Sequence, residues 1–529
     1  MDKTADIYTP AYAISAAKMR KAMKLIALTL MLLGLSGLVA AQSRALTKAD
    51  DAFERFDYSL ALKRYNKLDG KSESRYYVTK RIADCYRLLN MPVNALEWYE
   101  KAIEFHDVDA ETYYHLGQTL RVLKRYEESD IYLNRFREIT RTQAPQQGLS
   151  PGEFLMAVKS DSGRYEIIPL NINSEYSEFG PAILDGNKLV FSSNRPGKSV
   201  IRQLDSRNNL PFFGLFVSEL SDLSTATYPL PFLPKIKTEL NDGPVSFTAD
   251  GQMLYITRNT TATQEGLSEL DIFSLNRRDG KWSSTLASLP LKIKGYSIAH
   301  PAVSPDNQRL YFSSDMPGGY GAKDLYYSEL RGGFFSQPVN LGPDINTAGN
   351  DVFPFVDSAG RLFFASDGLP GLGGLDIFMT IPEGQNFSKP YNLGPGINTA
   401  YDDFSIVIKS DDSGGYFSSN RPGGAGSDDI YAFKTLKPLR FTHILGTIMN
   451  QLTGEPEEAV SISVIKQNGI VVANIESDEK GNYSLHLLSD EEYTIHFRKR
   501  MMQAVEKSLT PSEMKAFSTL NLNIKLAPR

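Results

Sequence analysis

Three patterns of apolar spacing follow one another along the chain. From Ala49 to Arg137 small and aromatic residues recur every 34 positions: Ala49, Ala83 and Gly117 fall in register, as do Ala61, Ala95 and Ser129, and Tyr65, Tyr99 and Leu133. A small residue for close approach beside a ring that fills the neighbouring groove is what paired antiparallel helices need, so this spacing predicts helix pairs. Ser150-Pro151-Gly152-Glu153 reads as a capping box with proline at the first helical position, opening a helix that carries Phe154, Leu155 and Val158 and closes the apolar end of the stack. Between about 165 and 435 short apolar strands take over: Leu189–Ser193, Leu254–Arg258, Leu310–Ser314, Leu362–Ser366 and Gly415–Ser419, with starts 65, 56, 52 and 53 residues apart. A turn rich in Asp, Gly and Asn precedes each, which suits hairpins. Most are followed by a strand headed by Asp271, Asp324, Asp376 or Asp429, whereas the first unit has Gly214 there. After Lys437 short alternating strands outline a sandwich of about 85 residues.

Each pattern resembles a known repeat or module. The 34-residue period resembles a tetratricopeptide array of three units. Repeats near 50 residues with several strands apiece are propeller blades, and Asn194-Arg195-Pro196-Gly197 and Asn420-Arg421-Pro422-Gly423 resemble the WD40-like repeat of TolB and its relatives. The fifth blade ends near Phe433 without an outer strand, while Tyr165–Ser174 has no blade before it; the orphan fits the gap and closes a five-bladed ring. The turns Thr453-Gly454-Glu455-Pro456 and Asp478 to Tyr483 resemble the carboxypeptidase regulatory domain, a transthyretin-like module, although Arg498–Met502 departs from that pattern. The expected fold is multidomain: an all-α tetratricopeptide solenoid with a capping helix over 42–160, a five-bladed β-propeller over 161–436, and a transthyretin-like β-sandwich over 437–529.

Composition narrows the chemistry. A net charge of −5 supplies no basic field for nucleic acid. Cys85 stands alone, so no intramolecular disulfide and no cysteine-based zinc or iron–sulfur site can form. Lys18, Arg20, Lys21 and Lys24, the apolar run Leu25–Val39, and Ala40-Ala41 before Gln42 make the three parts of a secretory leader over 1–41. The residue directly after the expected cleavage point is Gln42 and not cysteine, which excludes a lipoprotein anchor. The 27 Tyr and 28 Phe against 2 Trp gather in the repeated strands and read as packing.

Two sets of residues are candidates for binding. On the concave face of a helical array Lys80, Asp84, Arg87, Tyr114, Gln118 and Arg121 would meet a partner protein. On the ring, Asn194, Arg195, Asp315, Asp367, Asn420 and Arg421 sit at equivalent places near one end. Paired carboxylates could hydrolyse glycosides there, but the same residue types recur blade after blade in turns, and no Gly-x-Ser-x-Gly elbow is present. His106, His115, His300, His443, His486 and His496 show no ligand spacing such as His-Glu-x-x-His. Asp411–Gly414 lacks the later ligands of a calcium loop. The expectation is no metal, no cofactor and no enzyme. The order leader, helical repeats, propeller and sandwich resembles the PorE-like envelope proteins of type IX secreting and gliding bacteria, in which an OmpA-like domain follows and grips peptidoglycan; here the sequence stops at Arg529. That resemblance implies a periplasmic, outer-membrane-associated scaffold that binds envelope or secretion proteins and meets peptidoglycan only indirectly. The alternative is a propeller that senses or hydrolyses cell-wall glycan or peptide.

Overall fold

The computed structural model describes residues 43–55, 57–70, 74–141, 148–196, 204–205, 210–236, 240–260, 269–384, 386–516 and 518–529. The expected leader lies outside them. The chain forms two compact units, Met1–His106 and Asp107–Arg529.

The first unit holds helices α1 (43–54), α2 (Tyr58–Tyr65), α3 (Arg75–Leu88) and α4 (Pro92–Ala102). Its core is built on Ala49, Ala61, Tyr65 and Ile82, all fully buried. The second unit opens with α5 (Ala110–Val122), α6 (Tyr126–Thr140) and α7 (Pro151–Ser160). Local pairing follows the 34-residue period: a Cβ on Gly117 would meet Leu133 Cγ at 2.6 Å, and Ser129 donates to the Gly117 carbonyl at 2.7 Å. Glycine lets α5 and α6 approach closely.

The all-α solenoid, however, is not formed. Strand outweighs helix by 39% to 19%, and only short helices precede the sheets. The boundary between the two units falls after α4, so α5, α6 and α7 belong to the β body. Nor does α7 cap a helical stack: its Phe154 and Val158 pack with Leu372 of the fourth blade. The period encodes helix hairpins, and it cannot encode what their outer faces pack against.

The β body contains five blades. Their innermost strands are Glu178–Leu184, Asp242–Phe247, Ile298–Val303, Asp351–Val356 and Asp403–Ile408. Each touches the next, and the last touches the first, which closes a ring. Tyr165–Pro169 pairs with Asp429–Thr435 as the outer strand of the fifth blade, Tyr165 opposite Thr435 and Pro169 opposite Tyr431. The blade is thus completed from the other end of the ring, removing an open edge. A cross-strand aromatic pair repeats in four blades: Phe191–Phe216, Phe312–Tyr326, Phe364–Phe378 and Phe417–Tyr431, with centroids 5.8 to 6.3 Å apart. Such pairs contribute about 0.5–1.5 kcal/mol beyond area burial, and they account for much of the Tyr and Phe surplus.

After the ring, Phe441–Asn450 pairs with Asn482–Leu488 in one sheet, and Ser461–Lys466 pairs with Val471–Glu476 and Tyr493–Arg498 in the other. Ile444, Val464, Ile495 and Phe497 fill the space between the two sheets. The sandwich is tied to the ring through Asp161 at the end of α7. Its carboxylate accepts from Lys466 of the sandwich at 2.6 Å and from the Tyr391 hydroxyl of the fourth blade. Arg164, almost fully buried, donates to both oxygens of Asp490 at 3.1 Å.

Candidate functional site

The repeated polar residues near the end of the ring are engaged in holding it together. Asn194 accepts from the Ser177 amide at 2.9 Å, and Asp315 from the Ser297 amide at 2.7 Å. Asn420 accepts from the Asp402 amide and donates to the Asp402 carboxylate. Arg195 pairs with the fully buried Glu178 at 2.9 Å and grips the Ile172 carbonyl. Arg421 repeats the device on Asp403 at 2.6 Å and on the Gly396 and Ile397 carbonyls. In the second blade Arg258 binds Asp242 and the Ile236 carbonyl. Each guanidinium neutralises an inner-strand carboxylate and satisfies the linker carbonyls behind it. In the third blade Ile298 and Met316 stand at those two positions and pack together. The fourth blade keeps the acid, Asp351, and has Gly368 where the arginine would be.

Aromatic side chains meet near the ring's axis. All five inner strands bulge after their first residues, and side chains from four of them meet: His300 stacks on Phe353 at 3.7 Å, Phe353 lies 4.9 Å from Phe404, and Phe404 lies 6.3 Å from Phe179. The space left on the axis is about 220 Å³, lined by residues such as Pro181, Pro301 and Pro354. Among the described residues His300 is the one titratable side chain on that lining, and burial pushes it down to about 3, keeping it neutral.

A larger space, about 500 Å³, lies between the α5–α6 pair and the fourth blade. Half of the residues expected to bind a partner build it. The Tyr114 hydroxyl donates to Asp367 Oδ1 at 2.9 Å, Gln118 donates to the Tyr114 hydroxyl and the Asp367 carbonyl, and Arg121 donates to the Leu369 carbonyl. These three residues are therefore not a free concave face, because the chain's own fourth blade occupies it. Gly349 permits the contact, since a Cβ there would meet the Tyr114 hydroxyl at 2.4 Å. Asp367 is held as well by the amide and side chain of Asn350. The other trio lies in the first unit: Lys80 and Asp84 are buried there, Asp84 accepts from Tyr99 at 2.7 Å, and Arg87 donates to the Tyr99 hydroxyl.

The groove keeps unspent capacity. Gln118, 8% exposed, leaves its Oε1 without a hydrogen-bond partner. Arg121, 6% exposed, makes its contact to a neutral carbonyl at 3.3 Å. Arg137 lines the same wall, and burial beside Arg121 lowers its proton affinity. The buried Arg121 and the half-buried Arg137, itself bonded to Asn134, stand beside that open acceptor, with Asp130 acting on both arginines and Asp344 and Asp367 on the same groove lining; an anionic group that carries a donor could enter there in competition with those carboxylates. Arg137 was invisible to the period because it joins Arg121 only when α6 folds back on α5.

Replacing Tyr114 with Phe is expected to loosen α5–α6 from the blade by about 1–2 kcal/mol. Hydrogen exchange would then rise in Ala110–Thr140 and stay unchanged in the blade strands; equal protection in both would contradict the assigned contact.

No family model matches the chain, and no curated protein does. Among solved structures it is similar, at 15% identity and a TM-score of 0.30, to a gluconolactonase from Xanthomonas campestris, over 53% of this chain and 91% of that one. It is similar to a GH32 β-fructofuranosidase from Bombyx mori over 72% of this chain and 92% of that one, at 10% identity and a TM-score of 0.34. An α-L-arabinofuranosidase from Lactobacillus brevis matches over 55% and 95%, at 12% and 0.31. The β-propeller assignment rests on the chain's own strand order and ring closure.

Proposed function

We propose that this chain is a non-catalytic docking protein that takes an extended, acidic segment of a partner protein in the groove between α5–α6 and the fourth blade. The observation that carries the reading is the buried Arg121 and the unpartnered Gln118 Oε1 on one groove wall, a cationic donor and an open acceptor that face a space of about 500 Å³. The lining of the axial space supports it, because its one titratable side chain among the described residues is the neutral His300. The place of action is the cell envelope, on the strength of the basic and apolar stretch Lys18–Gln42; the partners belong to the outer membrane or a secretion apparatus of the type IX kind.

A photo-crosslinking residue at Phe136 tests this in the native host. Capture of an envelope protein through an acidic segment, lost in Arg137→Glu, is expected. Capture unchanged by Arg137→Glu, or capture of glycan fragments alone, overturns it.

One observation favours a hydrolase instead. Asp428 is pushed up to about 6 by burial and by the neighbouring Asp402, which brings one of two neighbouring carboxyls toward the range in which a general acid works. Both oxygens of Asp402 are bonded, to the Leu375 amide and to Asn420, and neither residue lines the groove or the axial space. Glycan or peptide hydrolysis by the full chain that disappears in Asp428→Asn would establish this reading; no turnover leaves docking.

A further inference from the structure

A second feature stands apart from the groove, where the sandwich meets the outer hairpin of the fourth blade. His443 and His486 face each other across the strand pair Phe441–Asn450 and Asn482–Leu488, their rings stacked 4.4 Å apart and 12° from parallel. Glu383, on the hairpin Pro382–Glu383 and Asn386–Phe387, reaches over from the ring and places Oε1 3.4 Å from His486 Nε2. One ligand atom from each of the three lies within 4.8 Å of the others. Among the described residues no other group of three histidine, cysteine or carboxylate ligands comes so close together.

We propose that Glu383, His443 and His486 bind one zinc-class divalent cation, which clamps the sandwich to the fourth blade. Two imidazoles and a carboxylate are the donor set of an open, four-coordinate zinc site, with bonds of about 2.0–2.2 Å. Three atoms within 4.8 Å of one another share a point within about 2.8 Å of all of them, so each ligand atom stands within about 1 Å of bonding distance before the rings rotate. The 3.4 Å separation of Glu383 and His486 is already near the edge of a tetrahedron with bonds of about 2.1 Å. The stacked rings must splay, because a lone pair lies in its ring plane and nearly parallel planes cannot both contain the ion. His443 gives up its contact to Ser484 Oγ at 2.7 Å in doing so, and that hydroxyl remains to support the ligand shell. A fourth, exchangeable position opens on the cavity of about 360 Å³ whose wall includes Glu383, Ser484 and His486. Lys389 and Lys466 share that wall; Lys466 is neutralised by Asp161. Glu383, 39% exposed, can be changed without touching either core.

The test is titration of the untagged full chain with Co²⁺. One equivalent should give the visible absorption of a four-coordinate ion, displaced by Zn²⁺. His486→Ala should abolish the spectrum, and Glu383→Gln, which sits on a surface hairpin and leaves folding intact, should weaken binding about tenfold or more. His496→Ala removes a histidine that pairs with Glu506 elsewhere on the sandwich and should leave the titration unchanged. Absence of saturable binding, or binding indifferent to Glu383→Gln and His486→Ala, overturns the proposal.

Discussion

Arg421→Met is expected to destabilise the ring by about 3–5 kcal/mol. Asp403 is completely buried, and the guanidinium is its counter-charge, lying 2.6 Å away. The same side chain satisfies the Gly396 and Ile397 carbonyls, so the substitution removes one charge and orphans two carbonyls together, leaving Asp403 Oδ1 with the Ser419 hydroxyl alone. Burial already raises the proton affinity of Asp403 and Arg421 opposes it; without the arginine the carboxyl must take up a proton, and the loss should shrink as pH falls. The third blade shows that an uncharged version of the latch can pack, since Ile298 and Met316 hold the two positions there. The double variant Asp403→Asn with Arg421→Met, which keeps an acceptor for Thr399, should recover more than half of the loss. Urea denaturation of the wild type, both single variants and the double variant measures the coupling. Additive losses would show that Arg421 acts through something other than the buried charge.

That latch marks where sequence reasoning reaches and where it stops. Strand starts, turns and the closing role of Tyr165–Pro169 were legible because a blade repeats its apolar positions, and an orphan strand has one vacant edge to fill. Asn194, Arg195, Asn420 and Arg421 were legible as repeated turn residues, but their partners were not singled out. Glu178, Asp242, Asp351 and Asp403 precede the serine or arginine they pair with by 15 or 16 residues, a spacing that pointed to them. The helical region departs from the expected solenoid for a definable reason. Small and aromatic residues at a 34-residue period report how α5 meets α6 through Gly117, but they are silent on Tyr114, Gln118 and Arg121, whose partners lie about 250 positions away in the fourth blade. His443 and His486 escaped for the same kind of reason: their pairing is across strands, and the third member, Glu383, comes from another domain.

Asp351→Asn is expected to stabilise the protein at neutral pH, by about 2 kcal/mol or more at pH 8. Asp351 stands where the first, second and fifth blades keep an acid beside an arginine. Its own blade offers none: Gly368 occupies the arginine's place, Oδ2 accepts from the amide and hydroxyl of Thr347, and Oδ1 is buried without a hydrogen-bond partner. Burial pushes the carboxyl up to about 8, nearby Asp367 adds to that, and the contacts from Ser366 and Thr347 only partly oppose it. The direction of the pH dependence follows. Above pH 4 the unfolded chain ionises this group while the folded chain retains its proton, so the unfolded state binds fewer protons and stability falls as pH rises. The decline should run from about pH 4 to about pH 8 and level off once the folded carboxyl also ionises. Asparagine keeps an oxygen for Thr347 and cannot ionise, and its amide can donate toward Ser366. The variant's stability should therefore be flatter across that window, with the gap to wild type widening toward pH 8. Parallel pH profiles for the two proteins would mean that Asp351 is ionised and solvated in the folded ring, and would remove the fourth blade's claim to be the unlatched one.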